Sequence, residues 1–462
     1  MIPPASTPAT REHLRIVAGE GADAVGVLAQ EWMDDDVTTQ VRVGGGDRWV
    51  SGATIPGVGF VPPDVVAAVV GRLDTRVGRA LLDARTGTLL ETSTSSYAIP
   101  RAQREFVASY PVHQGVHIYR YPDPPEAHSG AVEYAREYLY SLWHMFRLAR
   151  VVRRKHGFDV IHGCNPPDLI FLLGLWYRWR GVRYLFDHHD VCPEVYEAKF
   201  NKRGLFYKVM LIWERMTFAC ASVSIATNES FRRIAIARGR MRPDDVFVVR
   251  SAPKVDIFRP GPGDRSIRKG AATVMGYVGV IGQQEGMDLL VLAAKHLIED
   301  LGHKDVHFVI VGFGPELETV KADVAAKGLE NHFTFTGPLF GDAMLAALNA
   351  VDIGVAPDPK NAMNDISTMN KVMEYMTLEK PVVQFDLTEG RASAEGASLY
   401  AKANDPKDFA AKIAWLIDNP DEGRRMGQAG RARVLDRLSW QHSVPHLLAA
   451  YERVFAKRRG RS

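Results

Sequence analysis

The chain has 462 residues, of which 46% are hydrophobic and 24% charged, and its net charge is only +3. That composition describes a globular protein of two or three domains with ample core, and it carries no global signal for a nucleic-acid partner. The three cysteines, Cys164, Cys192 and Cys220, lack Cys-x-x-Cys spacing, which argues against a disulfide framework or a zinc site and fits a reducing compartment.

The first 105 residues are atypical. They hold Gly44–Gly46 and short apolar runs without a sustained period, and 72–96 offers a candidate strand pair but no glycine-rich phosphate loop. No basic-then-apolar leader opens the chain. The longest apolar run, 169–177, falls well short of the roughly 20 residues a bilayer-crossing helix needs. A cytoplasmic protein is expected.

From about residue 106 strands and helices alternate. Val116–Tyr119 reads as a short strand, and Tyr134–His156 as a long amphipathic helix with a basic end, Arg153-Arg154-Lys155, that complements the helix dipole. Strand Asp159–His162 leads to the turn Asn165–Asp168. Strand Val182–Phe186 delivers Asp187-His188-His189-Asp190 at its carboxyl end, where ligands of open α/β sheets bind. A helix over 208–221 and strands at 222–227 and 246–250 follow. The Pro- and Gly-rich stretch 251–263 marks a domain boundary.

A second alternating series then runs through strand 274–280, helix 286–302, strand 306–311, helix 315–327, strand 333–336, helix 342–349, strand 353–356, a helix after Ser367, and strand 381–385. Strands alternating with helices imply parallel sheets. The reading is α/β, with two doubly wound, Rossmann-like domains: an atypical segment 1–105, a first domain over 106–255, a second over 256–438, and a helix with a basic tail over 439–462 that returns toward the first domain.

The most informative stretch is Asn364–Met376. Met369, Val372, Met373 and Met376 repeat at helical spacing and face a core, with Ser367 or Thr368 as the cap. Asn370, Lys371 and Glu374 stand on the other side. A helix N-terminus offers unpaired N–H groups to a phosphate, Lys371 adds charge, and Glu374 can accept from a sugar diol. The plain alternative is a capped, solvated helix face. Two further strand ends carry glycine turns, Gly279-Val-Ile-Gly282 with Gln283, and Gly312-Phe-Gly314, which lacks the third glycine of a dinucleotide fingerprint. Adjacent histidines on extended chain point to opposite faces, so only one of His188 and His189 faces a cleft, and no metal site is expected. No Gly-x-Ser-x-Gly elbow and no Walker loop is present.

Charge is uneven. Residues 136–215 hold 14 Lys/Arg against 8 Asp/Glu and are rich in Trp, Tyr and Phe. That mixture suits an anionic membrane surface or a polyanionic acceptor, and the helix with Tyr138, Trp143, Met145 and Phe146 is the candidate membrane contact. The alternative is a basic surface over an aromatic core.

In order and spacing, Asp159–His162, Asp187–Asp190 with Pro193-Glu194, Ile225–Ser230, Val255–Pro260, Tyr277–Gly279, Val309–Gly314, Thr336-Gly337 and Asn364–Met376 with Lys380–Val383 resemble the retaining glycosyltransferases of family 4, of the two-domain GT-B fold, in the style of bacterial capsule, exopolysaccharide and O-antigen enzymes. The resemblance covers about 106–456. It implies that Glu374 binds the ribose of a nucleotide-sugar, that backbone amides at Ser367, Thr368, Met369 and Asn370 hold the diphosphate, and that Gly279, Gly282 and Gln283 line its other side. It implies Gly337 and Leu339 near the base, His189 facing the donor sugar as a catalytic group with Lys371, and His162, Asn165 and Asp190 on the acceptor side. No cofactor or metal is implied. The partners implied are the nucleotide-sugar and a glycan or lipid-linked acceptor.

The chain departs from that family's pattern at four places. A second acid usually stands eight residues before Glu374, where this chain has Ile366, beside Asp365. An Arg and a Lys usually follow the first strand of the second domain, where Val280 and Glu285 stand, leaving Lys371 as the expected main cation. Glu379 replaces a glycine at a helix end where a left-handed residue is common. The first strand and glycine loop are not recognisable in 1–105. The activity implied is sugar transfer with retention. A nucleotide-sugar epimerase of the same fold, or a non-catalytic nucleotide-sugar binder in a glycan-assembly complex, are the alternatives.

Overall fold

The computed structural model describes residues 131–166, 168–200 and 202–459, together with the short stretches 38–42, 49–55, 59–60, 112–113 and 116–117 and the residues Tyr119 and Tyr121. The chain divides into two compact units, 1–123 and 124–462. In the first unit, β1 (Thr38–Arg42), β2 (Trp49–Ile55) and β3 (Gly59–Phe60) form an antiparallel sheet, and β4 (Val112–His113) pairs antiparallel with β5 (Val116–His117). The strand expected over 116–119 is thus the second arm of a hairpin. The candidate strand pair in 72–96 lies outside the described residues.

The second unit opens with helix α1 (Ala131–Lys155), followed by a parallel sheet in the order β6 (Val160–Cys164), β7 (Arg183–His188), β8 (Val223–Ala226), β9 (Val246–Val248). Its strands are joined by α2 (Phe171–Arg178), α3 (Cys192–Phe200), α4 (Leu205–Cys220) and α5 (Glu229–Ala237). Phe171, Tyr184, Phe186, Phe218 and Phe231 fill the core on one face. Arg238 holds the helices there together, its Nη1 2.5 Å from Glu194 and its Nε 2.6 Å from Glu214. Burial of Glu214 pushes its carboxyl up to about 7 against that pairing.

The second sheet has the order β12 (Phe333–Gly337), β11 (Val306–Phe313), β10 (Thr273–Val280), β13 (Ile353–Ala356), β14 (Val382–Phe385), β15 (Ser398–Ala401), and every pair is parallel. In order of appearance this is 3-2-1-4-5-6, the doubly wound arrangement, whose direction of winding reverses between β10 and β13. The strands read as near-continuous apolar runs because both faces are covered. On one face α6 (Met287–Lys295), α7 (Leu317–Ala326) and α11 (Pro406–Asp418) bury Leu290, Val291, Val324, Phe409 and Ile413. On the other, α8 (Gly341–Asn349), α9 (Asn370–Thr377) and α12 (Pro420–Arg433) pack, with α10 (Thr388–Ala394) beside them.

The helix expected over 286–302 ends earlier, with a π turn at His296–Asp300. The last helix, α13 (Trp440–Arg459), lies on β8 and β9 of the first sheet, where Ala450 and Val454 are fully buried and Arg453 Nε is 2.8 Å from Asp245.

Candidate functional site

A reversal point in an open parallel sheet leaves a crevice between strands whose following chain departs in opposite directions. Here that crevice lies beyond Val280 and Ala356, and the chain fills it with the turn 281–286 and the loop 357–369. Close approach demands glycine at two positions. A Cβ on Gly286, at φ +67°, would lie 2.1 Å from the Pro357 carbonyl oxygen, and one on Gly312, at φ +148°, would lie 1.9 Å from that of Gly279. The glycine turns at 279–282 and 312–314 therefore back onto one another. Among the glycines expected to line a donor, Gly279 (φ +149°) and Gly282 belong to this packed turn, while Gly337 (φ +72°) ends β12 in open space. Gln283 is exposed, and Leu339 is half-buried against the core of β10 and β11.

Helix α9 is fixed on the crevice by its apolar side. Val372, Met373, Tyr375 and Met376 are at most 1% exposed, each contributing about 1.5–3 kcal/mol of burial. Tyr375 ties the helix across the reversal point: its hydroxyl oxygen accepts from Val278 N at 3.0 Å and its O–H donates to Val355 O at 3.4 Å. Its ring needs Gly354, where a Cβ would meet it at 2.4 Å.

The start of α9 differs from expectation. Met369 occupies the cap position and no side chain caps the helix. Ser367 Oγ instead donates to Met363 O at 2.7 Å, and Thr368 Oγ1 accepts from Asn228 Nδ2 at 3.0 Å. Among the described residues no acceptor faces the backbone N–H of Thr368, Met369, Asn370 or Lys371. The left-handed helix end is observed: Glu379 has φ +58°, and the N–H of Lys380 returns to Tyr375 O at 2.9 Å.

Lys371 is not on a solvated face. It is buried, with Nζ 2.8 Å from Asp358 Oδ1, 3.0 Å from Glu285 Oε2, and 4.8 Å from the centre of the Tyr277 ring. A helical position that looks outward by periodicity is covered here by the turn 283–285 and the loop after β13. Burial alone would lower the lysine, but Asp358, Tyr277 and Glu285 hold it protonated. Burial raises Asp358 against the pull of Lys371, whereas for Glu285 the lysine outweighs burial and lowers it. Glu285 is therefore paired rather than turned as a bare charge toward the crevice. Asp358, which sequence reasoning missed, carries no motif; only its position two residues after a central strand pointed to it. Glu374, half-buried, is one turn further along α9.

The departure at Ile366 and its neighbour Asp365 also has a physical account. Ile366, with Met363, packs on the first sheet's aromatic core. Asp365 accepts from Thr388 N at 2.9 Å and Thr388 Oγ1 at 3.0 Å, and so holds the start of α10.

The first sheet brings its strand ends to the same region. Asn228 caps α5 by accepting from Phe231 N at 2.8 Å, while its Nδ2 donates to Ile366 O at 2.9 Å. Ser230 Oγ donates to Glu389 at 2.6 Å, and α3 abuts the turn Gln283–Glu285.

His188 and His189 part as alternation requires. His188 is fully buried among Phe186, Phe218 and Phe231, and burial lowers it to about 3. His189 is 41% exposed, with Nε2 3.2 Å from Asp187 Oδ2. That hydrogen bond raises His189 well above its ordinary range, helped by Cys164. Burial would raise Asp187, but hydrogen bonds from His162 and His189 take it down to about 2.

His162 bridges Asp187 and Tyr451. Asn165, expected on the acceptor side, is instead a buried clamp. Its Oδ1 accepts from His189 N at 3.0 Å and Asp190 N at 3.3 Å, and its Nδ2 donates to Asp190 O at 2.6 Å and Asp168 Oδ1 at 3.1 Å. It holds the 189–190 turn. Asp190 is half-buried, and burial raises its carboxyl. Among the described residues no group of three or more His, Cys, Asp or Glu is arranged to hold a metal ion.

Two family profiles cover most of the chain: the glycosyl transferase 4-like domain over residues 19–252, and the glycosyl transferases group 1 domain over 272–419. The first reaches well into the 105 residues where no family feature was legible. The chain is 30% identical to a 2-deoxystreptamine glucosyltransferase of Streptomyces kanamyceticus over 40% of this chain and 47% of that protein, about half its length. It is 25% identical to the alpha-maltose-1-phosphate synthase of Mycolicibacterium smegmatis over 60% of this chain and 74% of that one. In fold it is similar to sucrose-phosphate synthase from Thermosynechococcus elongatus (TM-score 0.57, 17% identity, 73% of this chain and 86% of that one). It is also similar to HepE of Anabaena, solved with UDP and glucose (TM-score 0.55, 18% identity, 66% and 80%).

Proposed function

The chain belongs to the group 1 glycosyltransferases with a 4-like N-terminal domain, and on that premise we propose that it moves a sugar from a nucleotide-diphosphate sugar to a hydroxyl of a glycan or lipid-linked acceptor, with retention at the anomeric carbon. One observation carries the reading: among the described residues, no acceptor faces the four backbone N–H groups at the start of α9, beside the sheet's reversal point. Such a helix start suits a diphosphate. Glu374, one turn along, suits the ribose diol. Asp358 and Glu285 fix the Lys371 ammonium beside the same turn.

In this reading the acceptor oxygen bonds to the anomeric carbon on the face the leaving group vacates, as the bond from that carbon to the phosphate oxygen breaks. The departing phosphate oxygen takes the acceptor's proton. The protein contributes positioning and stabilisation of the leaving diphosphate, with protonated His189 facing the donor sugar.

HepE was solved with UDP and with UDP-glucose, so uridine nucleotides are the first donors to test. The experiment is mass spectrometry of the full chain incubated with a panel of nucleotide-sugars and lipid-linked acceptors, followed by NMR of the product's anomeric proton. Retained configuration supports the reading. An inverted product, or donor isomerised with no acceptor present, overturns it. The full pairing of Lys371 by two carboxylates favours a second reading, a non-catalytic nucleotide-sugar binder, which predicts binding without transfer.

We further propose that the protein is peripheral on an anionic membrane. Trp143 of α1 and Trp176 and Trp179 at the end of α2 are 60%, 54% and 89% exposed. Arg147 lies over Trp143 at 5.7 Å and Arg180 over Trp176 at 4.9 Å. Exposed indoles beside arginines match the interface of an anionic bilayer. Among the described residues no helix is long and apolar enough to cross a membrane.

A further inference from the structure

We infer that Tyr451, on the last helix, is a positioning residue for His189, acting through His162 and Asp187. The inference rests on the proposed role of His189 at the donor sugar. It is carried by a continuous line of two hydrogen bonds and an ion pair that joins chain segments 289 residues apart. The Tyr451 hydroxyl is 2.8 Å from His162 Nδ1, His162 Nε2 is 3.0 Å from Asp187 Oδ2, and the same Oδ2 is 3.2 Å from His189 Nε2.

Proton bookkeeping gives the line a direction. The ionised Asp187 only accepts, so the facing nitrogens, His162 Nε2 and His189 Nε2, both carry protons. The Tyr451 hydroxyl meets the other ring nitrogen, Nδ1, so the ring of His162 is held from both ends with Nε2–H aimed at Asp187. Asp187 is thereby kept in the orientation that puts the same oxygen on His189. Without the hydroxyl the ring is free to turn, and Asp187 loses the contact that aims it at His189.

The other titratable groups near His189 are Cys164 at the end of β6 and Asp190 in the following turn. His188 points to the opposite face and is neutral. Tyr451 is held independently of the line, because α13 is anchored on the first sheet by Ala450 and Val454 and by the ion pair between Arg453 and Asp245.

The test is NMR titration of histidine side chains in the full chain, with signals assigned from His189→Gln and His162→Gln. Tyr451→Phe keeps the aromatic ring in its packing and removes only the hydroxyl. The expected result is a fall of about 0.5 pH unit or more in the midpoint of His189, with the alkaline limb of any transfer activity moving alongside it. In the His162→Gln background, which has no ring for the hydroxyl to orient, Tyr451→Phe should move His189 no further. An unchanged midpoint in Tyr451→Phe, or an equal fall in the His162→Gln background, overturns the inference. The readout needs no substrate. A His189→Ala protein that transfers at full rate would instead sink the role of His189 at the donor and leave the hydrogen-bonded line standing.

Discussion

Lys371 Nζ lies 3.0 Å from the carboxylate of Glu285, so the acid that replaces an expected cation in the first strand's turn meets a cation supplied by the helix opposite. The positive charge beside this turn is supplied from across the crevice. Asp358, 2.8 Å away on the other side, completes the trio. Removing one member of a buried ion pair strands the others and costs about 3–5 kcal/mol. Lys371→Ala should therefore lower the stability to chemical denaturation by that amount. Adding Asp358→Asn should return part of it, because one fewer buried charge is then unpaired. Equal stability of Lys371→Ala and the parent would show that the lysine is solvated in solution.

The periodicity of Met369–Met376 located α9 and its apolar face, and strand–helix alternation located both sheets. The burial of Lys371 was not legible, because what covers it comes from a turn 86 residues earlier, and local spacing carries no information about tertiary cover. The same holds for Asn165. A polar residue after a strand reads as a site residue, but its amide fits the backbone of the 189–190 turn and is consumed there. That His188 and His189 turn to opposite faces was legible, since alternation on a strand is a local property, whereas which of them turns outward came only from the family resemblance. Tyr451 had no sequence signal toward His162, because only the return of the last helix to the first sheet brings them together.

Glu379 sits at φ +58° at the end of α9. A side chain in that region carries a steric cost that glycine lacks, and the Glu379–Arg431 contact at 3.5 Å is partly exposed and contributes little. Glu379→Gly should stabilise the protein by about 0.5–1 kcal/mol in urea denaturation. A loss of stability would mean that the Arg431 contact outweighs the backbone term.

Asp187 has its carboxyl lowered to about 2. A depressed folded-state value contributes stability that is fully present above the unfolded-state value near 4 and is lost as pH falls toward 2. The contribution is about 2 kcal/mol. The stability gap between the parent and Asp187→Asn should shrink by that amount from pH 5 to pH 2. A gap that stays constant with pH would show that Asp187 is not held by His162 and His189.

Trp143, Trp176 and Trp179 should act together at a bilayer. Changing all three to Ser should abolish co-flotation with vesicles containing anionic phosphatidylglycerol, and parent binding should weaken as salt rises. Parent protein that fails to float at low salt would contradict the peripheral placement.

The most direct test of the donor site is calorimetric titration of UDP and GDP into the full chain and into Glu374→Ala. The account predicts that one nucleotide binds the parent and that the substitution weakens it about tenfold or more, for the loss of about 1.5–3 kcal/mol of charged hydrogen bonding to the ribose. Equal affinity in the two proteins would place the nucleotide elsewhere and contradict the assignment of α9 and the sheet's reversal point as the donor site.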